Sequence, residues 1–219
     1  MDALPVNLPN AITVGRIAAA PLLVGLALAP WWEARLAAFA LFLSAAVTDY
    51  YDGKLARSRN LVTNLGRLLD PLADKLLLVA TFVPMLLLFA AFPFVTPLGP
   101  VGLPTWVLAV VLGREVVMTV VRQTAARRGV IIGAIGPAKW KTGVQWTWVG
   151  TSFFWFAAAT AAATYGWAGT TAWRVVASFI GTVGLLTMTG AVALALYSLA
   201  LYLRRYGAVL THRADHNRG

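Results

Sequence analysis

Apolar and polar positions follow one another along this chain in long blocks. Six apolar runs of roughly 20 residues are separated by short polar or Pro- and Gly-rich stretches. A helix of that length rises about 30 Å, the thickness of the hydrocarbon core of a bilayer, so each run predicts a membrane-spanning helix. The predicted spans are 11–29, 34–55, one from between 63 and 70 to near 92, 105–126, 141–164 and 172–202. The stretch PFVTPLGPVGLP, at 93–104, predicts a loop.

Composition supports a membrane protein. Of the 219 residues, 59% are hydrophobic and 12% charged, roughly half the charged share of a soluble domain, and the mean hydropathy is +0.74. We therefore expect an all-α, polytopic integral membrane protein, with one domain over 1–219, an interfacial lead-in at 1–10 and a polar tail at 204–219. The start, MDALPVNLPN, has no basic region and does not predict a cleavable signal. The absence of cysteine excludes disulfides and thiol chemistry.

The basic residues predict the orientation in the membrane. Of the 18, Arg35 falls in the first connection and Arg174 in the fifth, whereas the other 16 lie at the opposite ends of the predicted spans. By the positive-inside rule that opposite side is cytoplasmic, with both termini inside. This location in the cell membrane also explains the net charge of +10, because these residues meet anionic lipid or an anionic substrate. Nucleic acid is a poor fit, since no soluble module presents the charge.

Half of the eight acidic residues lie between the second and third spans, in DYYDGKLARSRNLVTNLGRLLDPLAD. They are Asp49, Asp52, Asp70 and Asp74. The first two are three residues apart and the last two four apart, so each pair shares a helix face. Four carboxylates at membrane depth repel one another, and two Mg²⁺ or Mn²⁺ ions would resolve the conflict. The alternative is that they are solvated acids or ion-pair partners of Arg57, Arg59 and Arg67.

The residues between these aspartates suit a phosphorylated ligand. Gly53, Ala56 and Gly66 are small, which lets a ligand approach the backbone, and Arg57 offers a fork of donors to a pyrophosphate. Pro71 leaves two alternatives: the third helix begins close to Asp70, or it is kinked there.

The whole run has the pattern D-x2-D-G-x2-A-R-x8-G-x3-D-x3-D, which resembles the signature of the CDP-alcohol phosphatidyltransferase family without a gap or substitution. NLPNAITVGRIAAAPLLV, DPLADKLLL, GREVVMTVVRQ and KWKT resemble the phosphatidylglycerophosphate synthase branch of that family. The resemblance covers roughly positions 7 to 146.

The resemblance implies a reaction. In that branch the primary hydroxyl of sn-glycerol 3-phosphate attacks CDP-diacylglycerol, and phosphatidylglycerol phosphate and CMP are released. It implies that the four aspartates hold two Mg²⁺ or Mn²⁺ ions and that Asp74 is the general base. The residues implied for the CDP site are Gly53, Ala56, Arg57 and Gly66, joined by Asn10 and Thr13, for which capping of the first helix is the alternative. Family members are commonly homodimers.

A second basic cluster, around the fourth connection, is the candidate for binding the acceptor phosphate. It consists of Arg114, Arg122, Lys139 and Lys141. Arg114 and Arg122 are eight positions apart, about two helical turns, and form a predicted anion clamp. The alternative for Arg114 is an ion pair, but a pair with Glu115 is not expected, because adjacent residues on a helix point in different directions.

The sequence leaves three alternative functions open. Phosphatidylinositol phosphate synthase and the cardiolipin synthase that uses phosphatidylglycerol share the aspartate chemistry but take another acceptor. An ion-coupled transporter also uses carboxylates within the membrane. A transporter favours acids near the midplane and inverted repeats, whereas these four acids lie towards one face and have no counterpart in the second half of the chain.

Overall fold

The computed structural model describes residues 8–58, 64–127 and 136–211 of the chain. Within these ranges, side chains are described except at 8–10, 49–58, 64–68, 70–71, 136–139 and 206–211. The described part contains six α-helices. They are α1 (Leu8–Leu28), α2 (Trp32–Ser58), α3 (Asn64–Leu88), α4 (Thr105–Arg127), α5 (Gly136–Thr164) and α6 (Thr171–Thr211).

Each predicted apolar run falls largely within one of these helices, so the prediction of an essentially helical chain is confirmed. Pro30 follows α1 closely, as expected for a residue that cannot continue a helix. Two helical stretches, Ala11–Leu28 and Thr171–Arg205, are by length and composition capable of crossing a membrane. The chain therefore has the character of an all-α membrane protein.

The predicted loop at 93–104 contains structure that the sequence did not predict. Strands β1 (Phe94–Thr96) and β2 (Gly99–Val101) form an antiparallel hairpin, with Thr96 paired to Gly99. Gly99 has a φ of 112°, which favours glycine at the turn. The Thr96 hydroxyl donates to the Gly99 carbonyl at 2.7 Å and accepts from the Leu98 amide at 3.2 Å. The Pro- and Gly-rich sequence thus closes a tight turn.

The described residues divide into two compact units. The first comprises the described residues of Met1–Leu103 and Val149–Thr182. In it α1 packs against both α2 and α3. An aromatic core forms where Phe89 contacts Phe94 and Phe156 edge-to-face, with ring centroids 4.8 and 5.0 Å apart. A Cβ at Gly181 would overlap the Val95 carbonyl oxygen, so the hairpin approaches the α6 backbone closely at this glycine.

The second unit comprises the described residues of Pro104–Trp148 and Val183–Gly219. One face of α4 is buried, with residues three and four apart as expected for a helix packed on one side. Its buried residues are Val107, Leu108, Val111, Arg114, Met118, Val121 and Ala125. A charged residue within this otherwise apolar face is the unusual feature, because a buried cation is stable only when it is paired.

Arg35 is buried in the first unit. The sequence predicted that it lies in the first connection, but it lies within α2. Its Nε donates to the Ala29 carbonyl at 3.0 Å, and its Nη1 donates to the Thr160 hydroxyl. Its guanidinium lies 4.7 Å from the centre of the Phe92 ring. One side chain thus binds the end of α1, α5 and the segment before the hairpin.

We expect Arg35→Met to lower the free energy of unfolding by roughly 2–3 kcal/mol, because two charge-assisted hydrogen bonds disappear and a buried hydroxyl and a partly buried carbonyl lose a donor. The measurement is the unfolding midpoint in detergent micelles. Arg174→Met is the matched control, since Arg174 is exposed and its guanidinium donates to the hydroxyl of the nearby Thr171. Equal midpoints for the two variants would contradict the anchoring role.

Candidate functional site

The backbone places the four aspartates on two helices. Asp49 and Asp52 belong to α2, and Asp70 and Asp74 to α3. Both helices continue through these positions, so the prediction that each pair shares a face has the helical backbone that it needs. The side chains of Asp49, Asp52 and Asp70 lie outside the described residues, and the convergence of all four carboxylates stays a prediction.

Helix α3 begins at Asn64, well before Pro71. The alternative in which the helix starts close to Asp70 is therefore wrong. A proline has no backbone N–H, so the carbonyl one turn earlier lacks its usual helical donor. This irregularity comes between the two aspartates of α3.

Asp74 is held by a residue that the sequence did not single out. Its Oδ1 accepts a hydrogen bond from Arg16 Nη1 at 3.1 Å. The Arg16 side chain, on α1, is 5% exposed, whereas that of Asp74 is 64% exposed. The buried guanidinium thus orients a carboxylate that solvent and ligands can still reach. A lone arginine inside the apolar run of α1 is the signal that identifies Arg16 from sequence.

The predicted nucleotide residues are only partly described. Thr13 is buried in α1, three residues before Arg16 and on the same helical face. Because α1 begins at Leu8, Asn10 and Thr13 lie within the helix, and the capping alternative is wrong. The side chains of Asn10, Ala56 and Arg57 lie outside the described residues. So do the local surroundings of Gly53 and Gly66.

The donor set fits a hard divalent cation. Carboxylate oxygens are the ligands that Mg²⁺ and Mn²⁺ prefer, and the Asp74 carboxylate is 64% exposed while it accepts a hydrogen bond from Arg16. Among the side chains that the structure describes, no group of three or more His, Cys, Asp or Glu residues comes together. Three of the four predicted ligands are outside that set, so the metal site stays a prediction.

In the second unit, α4 and α5 bring two buried cations to one carboxylate. Arg114 is 6% exposed and Lys141 is 4% exposed. Arg114 Nη1 lies 3.1 Å from Glu115 Oε1, and Lys141 Nζ contacts the same oxygen. Arg114 Nη2 also donates to the Ser198 hydroxyl of α6 at 3.3 Å. Two positive charges thus share one negative charge in a largely buried cluster.

The expectation that Arg114 and Glu115 would not pair is wrong. Adjacent Cβ atoms do diverge on a helix, but both side chains have several rotatable bonds and reach a common point. Burial of Arg114 and Lys141 also favours the arrangement, since each cation needs an anion nearby. Sequence reasoning treated Glu115 only as a rejected partner, whereas it joins two predicted phosphate ligands.

The other two residues of the predicted acceptor cluster are Arg122 and Lys139. Arg122 is exposed, and its guanidinium lies 6.0 Å from the centre of the Tyr202 ring. Its positive charge, like that of Arg114, is close enough to act on Lys141, and the anion clamp of the two arginines stays a prediction. The Lys139 side chain lies outside the described residues.

The chain resembles known proteins along most of its length. The sequence model of a family described as CDP-alcohol phosphatidyltransferase matches residues 6–211. A CDP-diacylglycerol–glycerol-3-phosphate 3-phosphatidyltransferase 2 from Arabidopsis thaliana is 38% identical over 151 residues, covering 64% of this chain and 61% of that protein. The Bacillus subtilis CDP-diacylglycerol–glycerol-3-phosphate 3-phosphatidyltransferase is 38% identical over 151 residues, covering 64% of this chain and 72% of that protein.

A third relative carries a different name. Cardiolipin synthase (CMP-forming) from Oryza sativa is 40% identical over 156 residues, covering 64% of this chain and 44% of that protein. The matches thus span between 44% and 61% of the length of these plant relatives. The family match includes the aspartate signature, α1 with Arg16 and the buried cluster of the second unit. The chain belongs to the CDP-alcohol phosphatidyltransferase family.

Proposed function

We propose that this chain transfers the phosphatidyl group of CDP-diacylglycerol to sn-glycerol 3-phosphate. The primary hydroxyl oxygen of the acceptor bonds to the phosphorus that carries diacylglycerol, and the bond from that phosphorus to the CMP oxygen breaks. The products are phosphatidylglycerol phosphate and CMP. The observation that carries the proposal is the full aspartate signature, on two helices of a chain whose relatives are named for this acceptor.

The aspartates would hold two divalent cations, Mg²⁺ or Mn²⁺, through Asp49, Asp52, Asp70 and Asp74. When bound, such ions neutralise the charge that develops on the diphosphate. The remaining chemistry falls to the chain itself. Asp74 takes the proton of the acceptor hydroxyl, and the exposure of its carboxylate supports that role. Arg16 fixes the orientation of Asp74 through its hydrogen bond to Oδ1.

The CDP moiety would bind along α1, α2 and the start of α3. The small residues Gly53, Ala56 and Gly66 leave room for the nucleotide, and Arg57 pairs with its diphosphate. Asn10 and Thr13 contribute from α1. The support is that Thr13 shares a helical face with Arg16, whose guanidinium binds Asp74.

Arg114 and Lys141, with Arg122 and Lys139, would bind the phosphate of the acceptor. The support is the charge balance of the buried cluster, where two cations share the Glu115 carboxylate. An anion that enters this cluster gains charge-assisted hydrogen bonds in a site from which water is largely excluded. Phosphorylated acceptors are favoured by such a site over neutral alcohols.

In this proposal all six helices span the cell membrane, with both termini and the catalytic residues on the cytoplasmic side. The bias of 16 basic residues against Arg35 and Arg174 supports the orientation. The lipid tails of CDP-diacylglycerol stay in the bilayer while a soluble acceptor enters from the cytoplasm. The protein is proposed to act as a homodimer, as the family resemblance implies. Family membership favours an enzyme over the ion-coupled transporter.

A second candidate is the cardiolipin synthase reaction, because a rice relative bears that name. Purified protein with CDP-diacylglycerol and Mg²⁺ distinguishes the candidates when CMP release is compared for glycerol 3-phosphate, inositol phosphate and phosphatidylglycerol. We expect release with glycerol 3-phosphate. Release with phosphatidylglycerol alone would replace the proposed acceptor, and release with none of them by folded protein would refute the enzyme assignment.

A further inference from the structure

One face of α5 places a neutral polar side chain beside the buried cations of the second unit. Lys141 contacts Glu115 of α4 and so directs its face of α5 towards the cluster. Gln145 follows four residues later, 7% exposed, and residues at this spacing lie one above the other on a helix. Gln145 therefore belongs to the same buried face, one turn beyond Lys141.

Two polar atoms of this region are buried without a hydrogen-bond partner among the side chains and backbone that the structure describes. They are Gln145 Oε1, which accepts hydrogen bonds, and Arg114 Nε, which donates them. Leaving such a group unpaired and away from water costs about 1–3 kcal/mol. An unpaired acceptor one helical turn from Lys141, together with an unpaired donor on Arg114, suits a ligand that offers a hydroxyl and an anionic oxygen.

We propose that Gln145 is a specificity-determining residue that recognises the secondary hydroxyl of the acceptor. Gln145 Oε1 accepts the hydrogen bond of that hydroxyl, while Arg114 Nε donates to a phosphate oxygen. In glycerol 3-phosphate the secondary hydroxyl and the phosphate sit on adjacent carbons, so one small molecule presents both groups together. This inference rests on the proposed transfer to glycerol 3-phosphate and names how that acceptor is distinguished from simpler phosphorylated alcohols.

A structural role for Gln145 and a role in ligand recognition predict opposite effects of Gln145→Leu on stability. If its amide held the fold together, Gln145→Leu would lower the unfolding midpoint. If Oε1 accepts a hydrogen bond only from a bound ligand, leucine removes an unpaired buried oxygen with little change in volume. The unfolding midpoint then stays at or above that of the wild type. Stability and specificity of the same variant therefore separate the two roles.

The experiment compares glycerol 3-phosphate with 3-hydroxypropyl phosphate, which keeps the primary hydroxyl and the phosphate but lacks the secondary hydroxyl. For wild-type protein we expect kcat/KM to favour glycerol 3-phosphate about tenfold or more, because a site built to bind a hydroxyl rejects the analogue without it. In Gln145→Leu we expect this preference to fall to about twofold or less. The KM for CDP-diacylglycerol should stay unchanged.

Gln123→Leu is the matched control, since Gln123 is exposed on α4 of the same unit. It should keep the wild-type preference. If Gln145→Leu does not fold, Gln145→Met offers an unbranched side chain of similar volume for the same comparison. A preference retained in a folded Gln145 variant, or absent from the wild type, would overturn the role of Gln145. Wild-type protein inactive with both phosphates would instead refute the proposed function itself.

Discussion

Asp74→Asn is expected to lower kcat for CMP release about a thousandfold, within the range typical of general acid–base catalysis. An amide cannot take the proton from the acceptor hydroxyl, and it is a weaker ligand for a divalent cation. The variant should still insert and fold, because the Asp74 side chain is largely exposed and an asparagine oxygen still accepts the Arg16 hydrogen bond. The measurement is CMP release with glycerol 3-phosphate at saturating substrate.

Asp215→Asn makes the same substitution in the polar tail and serves as the control, with wild-type turnover expected. Arg16→Met gives a second test of the same site, because it leaves the Asp74 carboxyl chemistry intact but removes its buried hydrogen-bond donor. We expect its kcat to fall less than that of Asp74→Asn. Near-normal turnover in Asp74→Asn would remove Asp74 as the base.

Arg114→Met is expected to raise the KM for glycerol 3-phosphate roughly 10- to 100-fold while changing the KM for CDP-diacylglycerol little. A charge-assisted hydrogen bond to phosphate contributes about 1.5–3 kcal/mol, which corresponds to that range. Lys141 keeps its contact with Glu115 in the variant, so the carboxylate is not left without a cation. Arg122→Met should show a smaller rise, since Arg122 is exposed and solvent screens its charge.

Arg127→Met is the matched control, because Arg127 is an exposed arginine in the last turn of the same helix. Both KM values should stay near those of the wild type. An equal rise in both KM values for Arg114→Met would assign Arg114 to general folding or to both substrates, and would refute its selective role at the acceptor.

The helices were predictable because long apolar runs leave few other structures possible in a membrane. Their ends were harder to predict. Helix α5 begins at Gly136 and α6 continues to Thr211, through polar positions such as Arg204 and Arg205. Hydropathy indicates which part of a helix lies in lipid, but it does not indicate where the helical hydrogen bonds end. The hairpin at Phe94–Val101 escaped prediction because its strands are only three residues long and β2 contains Pro100, so they carry almost no periodic signal.

The arrangement of the site was predictable where it depends on residue spacing alone: the two aspartate pairs lie on helices α2 and α3 as expected, while the convergence of their carboxylates stays a prediction. It was not predictable where a contact depends on tertiary packing. The Arg16–Asp74 hydrogen bond joins residues 58 positions apart, and the Lys141–Glu115 pair joins residues 26 apart. Local spacing says nothing about such pairs. For Arg114 and Glu115 the local rule was misleading, since flexible side chains overcame the divergence of their Cβ atoms.

The most direct test of the proposed phosphatidyl transfer follows a label from acceptor to lipid. Purified protein is supplied with CDP-diacylglycerol, Mg²⁺ and glycerol 3-phosphate labelled in its carbon atoms, and the lipid fraction and released CMP are both quantified. We predict label in a lipid phosphomonoester in equal amount to CMP. CMP released without label in lipid, or no release by folded protein, would contradict transfer to glycerol 3-phosphate.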